Sequence, residues 1–503
     1  MRSRVLRRAL FLALPAVTLA VMAGCGLFGS TDDPDASDDA LRELERKAIG
    51  TALEYPGAAI DEKGEEALRT SKKKRRELGW SIAAKVLQPT KTQAKLGDAG
   101  VQAPVPLFRT WYGGDEFERM FAENFSRIGA KRRAARDGAS AQEIEGLLAW
   151  NAQYLGPSSE ADYFKRITRV KSQLQADGLG SNARMAYSPG YVRHYFGDYA
   201  AAVGCENKLD GFTFETPPTS DANFTNCFGR EFDVSTAVIK TSWRRNDNAS
   251  HGMPVYDTTA KNLKRLIGDT TATGGAWPVE DDSGKGGPPI VDITDDKAYS
   301  IKLERGEKYA LGGMHIMTKE LRHWTWVTLW WSNKPNDDFG QDRPKEISDL
   351  GGPWGNYKMC VVTSFDEGDN DPRGGFSGSL GDALEAVHGD SSWCSNPFIE
   401  RGAHNAQTNC MGCHQHAGDP KMLRQILSLP ASGRKLVRKS FPADYSWAFM
   451  TPDSPDPKDR LLKMMLTHVK AYDTEVVPDD PPAPQNSSGT PDASAPDGND
   501  DQP

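Results

Sequence analysis

Cys410-Met411-Gly412-Cys413-His414 constrains this chain more than any other stretch, because Cys-x-x-Cys-His is the spacing that attaches a haem covalently. The two thiols add to the haem vinyl groups as thioethers. An imidazole one residue beyond the second thiol then reaches the iron from one face. Cys410, Cys413 and His414 are thus expected to fix one haem c, its orientation and its proximal iron ligand. Other readings of a Cys-x-x-Cys pair are a thioredoxin-like redox motif, half of a zinc site, or coincidence. A zinc site wants a second pair at similar spacing, whereas only the crowded His414 and His416 are at hand. A thioredoxin pair wants a strand-to-helix setting, but polar Thr408 and Asn409 lead into this one.

The other end of the chain reads as an export signal, which suits a haem attached outside the cytoplasm. Arg2, Arg4, Arg7 and Arg8 precede an apolar run from Ala9 to Ala23, too short and too early for a spanning helix. The run ends at Met22-Ala23-Gly24-Cys25, which resembles the lipobox of bacterial lipoproteins apart from its first position. That resemblance implies a signal peptide over 1–24 and lipidation of Cys25, so that the mature protein is tethered to a membrane and faces the periplasm or lies on the outer membrane. An ordinary cleavage site with an unmodified Cys25 is the alternative. Arg7-Arg8 lacks the surroundings of a twin-arginine signal.

Seven cysteines are present. With Cys25 assigned to lipid and Cys410 and Cys413 to haem, Cys205, Cys227, Cys360 and Cys394 remain as an even set in an oxidising compartment. Two disulfides are expected. Proximity favours Cys205 with Cys227 and Cys360 with Cys394, although four cysteines allow three pairings. Each bridge would stabilise by about 2–4 kcal/mol through the restricted unfolded chain.

A chain of 503 residues can hold more than one core, and no later apolar stretch has spanning length. Its net charge of −8 gives no general affinity for nucleic acid. The basic run Lys72 to Arg76, flanked by Glu65, Glu66 and Glu77, reads as a solvated helix face.

The expected architecture is a multidomain α+β chain. An acidic tether over 25–40 precedes a mainly helical region over 41–200. There Phe117, Met120, Phe121 and Phe125 recur at helical spacing, Ser140 is a candidate N-cap, and Tyr191, Tyr195, Phe196 and Tyr199 surround a packed His194. A β-rich, sandwich-like region over 201–370 follows. Trp324, Trp326 and Trp330 fall on one face of a run whose other face carries Val327, Leu329 and Trp331, so that strand is expected to be buried on both sides. These indoles read as core rather than as a sugar-stacking surface. His315, beside Met314 and Met317, and His323 offer two imidazoles to a metal, but no carboxylate or third histidine completes a set. An α-helical haem domain over 371–475 and a disordered tail over 476–503 complete the chain.

Met450, in Ala448-Phe449-Met450-Thr451-Pro452, resembles the Met closely followed by Pro on the ligand loop of class I cytochromes c, which implies a distal iron ligand there. His468, Met464, Met465 or an open position are the alternatives. Arg401, Lys421 and Arg424 suit the haem propionates. Asn405 to His414, Asp444-Tyr445-Ser446-Trp447, Met314-His315 and Trp324 to Thr328 together resemble segments of large single-haem bacterial proteins of the cytochrome c family. The resemblance implies a class I-like haem c domain near the C-terminus and carries no reaction for the rest of the chain. One haem supports one-electron transfer between periplasmic redox partner proteins. The alternatives are a haem-dependent oxidoreductase whose N-terminal portion binds substrate, and a binding module with a haem relay.

Overall fold

The computed structural model describes residues 52–94, 103–113, 140–154, 183–204, 231–246, 252–269, 273–279, 286–302, 307–321, 324–363, 393–403 and 405–407, and positions 116, 117, 120, 271, 409, 410 and 414. Cys25, Cys205, Cys227, His323, Cys413, His416, Lys421, Arg424, Met450, Met464, Met465 and His468 lie outside them.

The helices are α1 (Glu62–Thr70), α2 (Lys72–Leu87), α3 (Ala141–Tyr154), α4 (Pro189–Gly204), α5 (Ala260–Ile267) and α6 (Lys345–Asp349). The strands are β1 (Pro89–Ala94), β2 (Ala103–Pro106), β3 (Arg184–Tyr187), β4 (Ala237–Arg245), β5 (Met253–Pro254), β6 (Ile290–Val291), β7 (Ser300–Lys302), β8 (Lys308–Thr318), β9 (Thr325–Trp331) and β10 (Tyr357–Thr363). Six of these strands build the principal sheet, in the order β10-β9-β8-β4-β3, with β7 also paired to β8. Its pairings are antiparallel. The long strand β8 lies at the centre: Lys308 to Ala310 pair with β7, and Gly313 to Thr318 pair with β9.

Side chains alternate across a strand, and directly paired residues share a face, so the register sorts the sheet into two faces. One face carries Ile239 and Thr241 of β4, Met314 and Ile316 of β8, Val327 and Leu329 of β9, and Met359 and Val361 of β10. Helix α2 covers it at β10. Gly79 is what allows the close approach, because a Cβ there would stand 2.9 Å from Met359 Sδ and 3.0 Å from Val361 Cβ. The opposite face carries Lys240 and Ser242, Gly313, His315 and Met317, Trp326, Thr328 and Trp330, then Lys358, Cys360 and Val362. All seven residues of β9 are buried, as befits a strand with both faces covered.

Several local features follow from particular residues. Ser140 and Glu143 form a reciprocal capping box at the start of α3: Ser140 N donates to the Glu143 carboxylate (2.8 Å), and Glu143 N donates to Ser140 Oγ (3.4 Å). Tyr191, Tyr195 and Phe196 of α4 are fully buried, and His194 stacks on Phe232 at 3.7 Å between ring centroids. Trp324 does not share a face with Trp326. It precedes β9 at a φ of 70° and packs against Phe232 (5.0 Å between centroids) and the Lys319 ammonium (4.9 Å to the ring).

The basic run departs from a wholly solvated face. Lys73 and Lys74 are exposed, but Arg75 is 2% exposed and donates to the carbonyls of Leu68 (2.5 Å) and Arg69 (3.1 Å). Arg76 forks onto the Asp342 carboxylate and donates to the Met359 and Phe339 carbonyls. A guanidinium satisfies several acceptors at once, so Arg75 ties α2 to the end of α1 and Arg76 ties it to β10 and the loop before it.

The regions expected at 41–200 and 201–370 meet in the principal sheet, because β3 pairs with β4 along its whole length. The expected boundary at 370/371 likewise has one core on both sides of it: Cys394, Phe398, Ile399, Ala406 and Cys410 belong to the same buried cluster as Trp326, Trp330 and Cys360. Among the described residues no helix is long and apolar enough to cross a membrane.

Candidate haem-attachment site

Residues 393–403, 405–407, 409 and 410 lead to Cys410 against the sheet, and polar side chains fix their path. Asn396 donates from Nδ2 to the Leu329 carbonyl (2.9 Å), and its Oδ1 accepts from Phe398 N (2.9 Å). Its own backbone N–H donates to the Glu400 carboxylate. Ser242 Oγ donates to the Phe398 carbonyl at 3.1 Å. These bonds satisfy backbone groups that would otherwise be buried without partners.

Gly312 and Gly313 make room for the segment. A Cβ on Gly312 would stand 2.4 Å from the Phe398 ring, and one on Gly313 would stand 2.5 Å from Asn396 Oδ1. β8 and β4 also shift register at this point, between Ser242 and Trp243. Consecutive glycines within a strand mark such a close approach of another backbone.

Further along, Gln407 Nε2 reaches the carbonyls of Leu266 (3.1 Å), Ile267 (3.2 Å) and Asp269 (2.6 Å), which takes up acceptors at the C-terminal end of α5. Trp393 Nε1 donates to the Ala406 carbonyl (2.9 Å), and Ala406 N donates to the Gly275 carbonyl (2.8 Å). A disulfide joins Cys394 to Cys360 in β10, with Cα atoms 5.5 Å apart. Cys205 and Cys227 lie outside the described residues, so the second expected bridge has no structural account here.

The segment ends on the face of the sheet opposite α2. Cys410 is 5% exposed, and its Sγ is 3.9 Å from Thr328 Oγ1 on β9. Two residues back along the same face of β9, the Trp326 ring meets the His414 ring at 4.5 Å between centroids. His414 is partly buried. The thiol and the imidazole therefore sit over neighbouring positions of one strand, against an indole.

His315 is on that face too, paired directly with Thr328. Its side chain is 16% exposed, and among the described residues its buried Nε2 has no hydrogen-bond partner. The Glu400 carboxylate lies 3.8 Å from that nitrogen, beyond hydrogen-bond reach. Burial first, then the Lys240 ammonium and then His414, push the His315 imidazole well below its ordinary pKa. The ring is therefore neutral at pH 7.

These residues fit a covalently held haem c. They supply a buried thiol, an imidazole four residues later, an aromatic wall, and an orphaned imidazole nitrogen on the same sheet face. Cys413, the second thioether position, lies outside the described residues, as does Met450. Among the described residues no group of three or more His, Cys, Asp and Glu side chains is arranged to hold a bare metal ion, and His315 has no described His323 beside it. Arg401 donates to Tyr256 Oη (2.7 Å) and to the Pro397 carbonyl (3.4 Å), and with Arg244 it lines a small cleft formed also by Pro254, Tyr256 and Ile290.

Of the features that build the site, paired glycines such as Gly312-Gly313 within a strand are a signal of close approach, whereas Asn396 carries no pattern that announces its long-range bond to Leu329. Comparison with known proteins adds nothing to these residues: no family model, no curated protein and no solved structure matches the chain.

Proposed function

We propose that this chain is an exported, lipid-anchored c-type cytochrome that carries one covalent haem and passes single electrons between periplasmic redox partners. The observation that carries the reading is the Cys-x-x-Cys-His element itself, with Cys410 and His414 set over Thr328 and Trp326 on a buried sheet face. Haem bound there would supply one-electron cycling of its iron between ferric and ferrous.

The residues divide the remaining work. Cys410 and Cys413 would hold the group by thioethers, and His414 would ligate its iron. Trp326 keeps water from the His414 side, and exclusion of water is one of the levers by which a protein sets a haem potential. The disulfide and the Asn396 bonds fix the segment, so that little rearrangement accompanies a change of oxidation state. Cys25 as a lipid-bearing residue, followed by the acidic stretch 25–40, would hold this body near a membrane surface.

The test is a potentiometric titration of the haem-loaded protein, combined with its response to cyanide and carbon monoxide. A relay protein is expected to titrate as one electron with both axial positions filled, and to bind either small ligand slowly or not at all. Immediate binding of both would favour the oxidoreductase alternative over electron relay.

A further inference from the structure

We propose that His315, on the central strand of the sheet, is the second protein ligand of the haem iron. This assignment rests on the haem reading above, and it takes the distal position from residues before the haem motif rather than from Met450.

The argument is one of placement. In the antiparallel pairing of β8 and β9, His315 stands directly across from Thr328, the residue whose hydroxyl is 3.9 Å from Cys410 Sγ. Trp326, the next β9 residue on the same face, carries His414 against its ring. An attachment thiol, the proximal imidazole and His315 are thereby gathered on one patch of sheet, although 95 residues or more separate His315 from the other two in sequence.

A second, independent observation concerns satisfaction. Buried polar nitrogens are nearly always hydrogen-bonded, and leaving one unpaired costs about 1–3 kcal/mol. Among the described residues His315 Nε2 is buried and has no hydrogen-bond partner, while the Glu400 carboxylate 3.8 Å away is already engaged by Asn396 N. An iron ligand is a role that would use that nitrogen.

The experiment uses the full-length protein expressed with haem-maturation machinery and labelled with nitrogen-15 only in histidine. The number of labelled imidazole nitrogens coupled to the ferric iron is then counted by pulsed electron-nuclear resonance. Two coupled imidazoles are expected, together with absence of the far-red charge-transfer band that marks methionine ligation. His315→Gly is expected to lose the low-spin ferric signal and to regain it on addition of free imidazole, while Met450→Ala leaves the signal unchanged.

One coupled imidazole in the wild-type protein would overturn the assignment, even if the glycine variant fails to fold. So would an unchanged low-spin signal in His315→Gly with covalent haem intact, or a loss of that signal in Met450→Ala. Covalent haem is verified first, by mass, on the same sample. Its absence would defeat the haem reading, whereas its presence with a single imidazole defeats only the role of His315.

Discussion

Replacing Cys410 and Cys413 together by alanine is expected to leave a folded chain that retains no haem through denaturing electrophoresis or acid extraction. The thioethers would be the covalent links, whereas a bond from His414 to iron would be coordinate and would be lost when the imidazole protonates in acid. The loss of covalent haem should therefore be complete. The structural cost should be small by comparison. Cys410 is one 5%-exposed residue beside Thr328, and removal of its sulfur from that contact costs about 1 kcal/mol on the scale of a buried methylene. Urea denaturation of wild-type apoprotein and variant is expected to show midpoints consistent with that difference. A variant that unfolds wholesale would mean instead that Cys410 is chiefly structural.

The second large effect concerns the bridge between Cys360 and Cys394. The two positions are 34 residues apart, and closing a loop of that length stabilises the folded state by about 4 kcal/mol in the chain-entropy description. Domain stabilities are on the order of 5–15 kcal/mol, so this is a substantial share. The bridge also ties the segment that carries Cys410 to β10, on the sheet face bearing Thr328, Trp326 and His315. The Cys360→Ala, Cys394→Ala double variant is accordingly expected to lose several kcal/mol in urea denaturation. When loaded with haem, it should also show a broadened, heterogeneous ferric spectrum, because His414 is no longer held in one place. Unchanged stability and an unchanged spectrum would mean that the Asn396, Ser242 and Gln407 hydrogen bonds alone fix the segment.

The parts of the fold legible in the sequence are those whose signal is local. The run from Thr325 to Trp331 has large apolar side chains on both of its faces, and every residue of that strand is buried. Ser140 reads as an N-cap, and in the structure it pairs reciprocally with Glu143. Cys360 and Cys394 were paired by proximity, and the structure joins them.

What could not be read depends on partners distant in sequence. Arg75 and Arg76 look like the rest of a charged run until the Leu68 carbonyl, Asp342 and the Met359 carbonyl come into view. The segment 393–407 has neither helical nor strand periodicity, because its order comes from single polar bonds and from the gap left by Gly312-Gly313. The Cys-x-x-Cys-His element at its end points to a separate domain over 371–475, whereas Phe398, Ile399 and Ala406 lie in the same buried core as the sheet. His315 gave the weakest signal of all. A lone histidine on a strand looks like any packed imidazole until the register sets it across from Thr328 and brings it to the patch where Cys410 and His414 lie.

The central claim is tested most directly by the mass of the proteolytic peptide that contains Cys410-Met411-Gly412-Cys413, taken from wild-type protein expressed with haem-maturation machinery. The account predicts a peptide heavier by one haem, with both cysteines unavailable to alkylating reagent. An unmodified peptide whose two cysteines alkylate freely after reduction would contradict it.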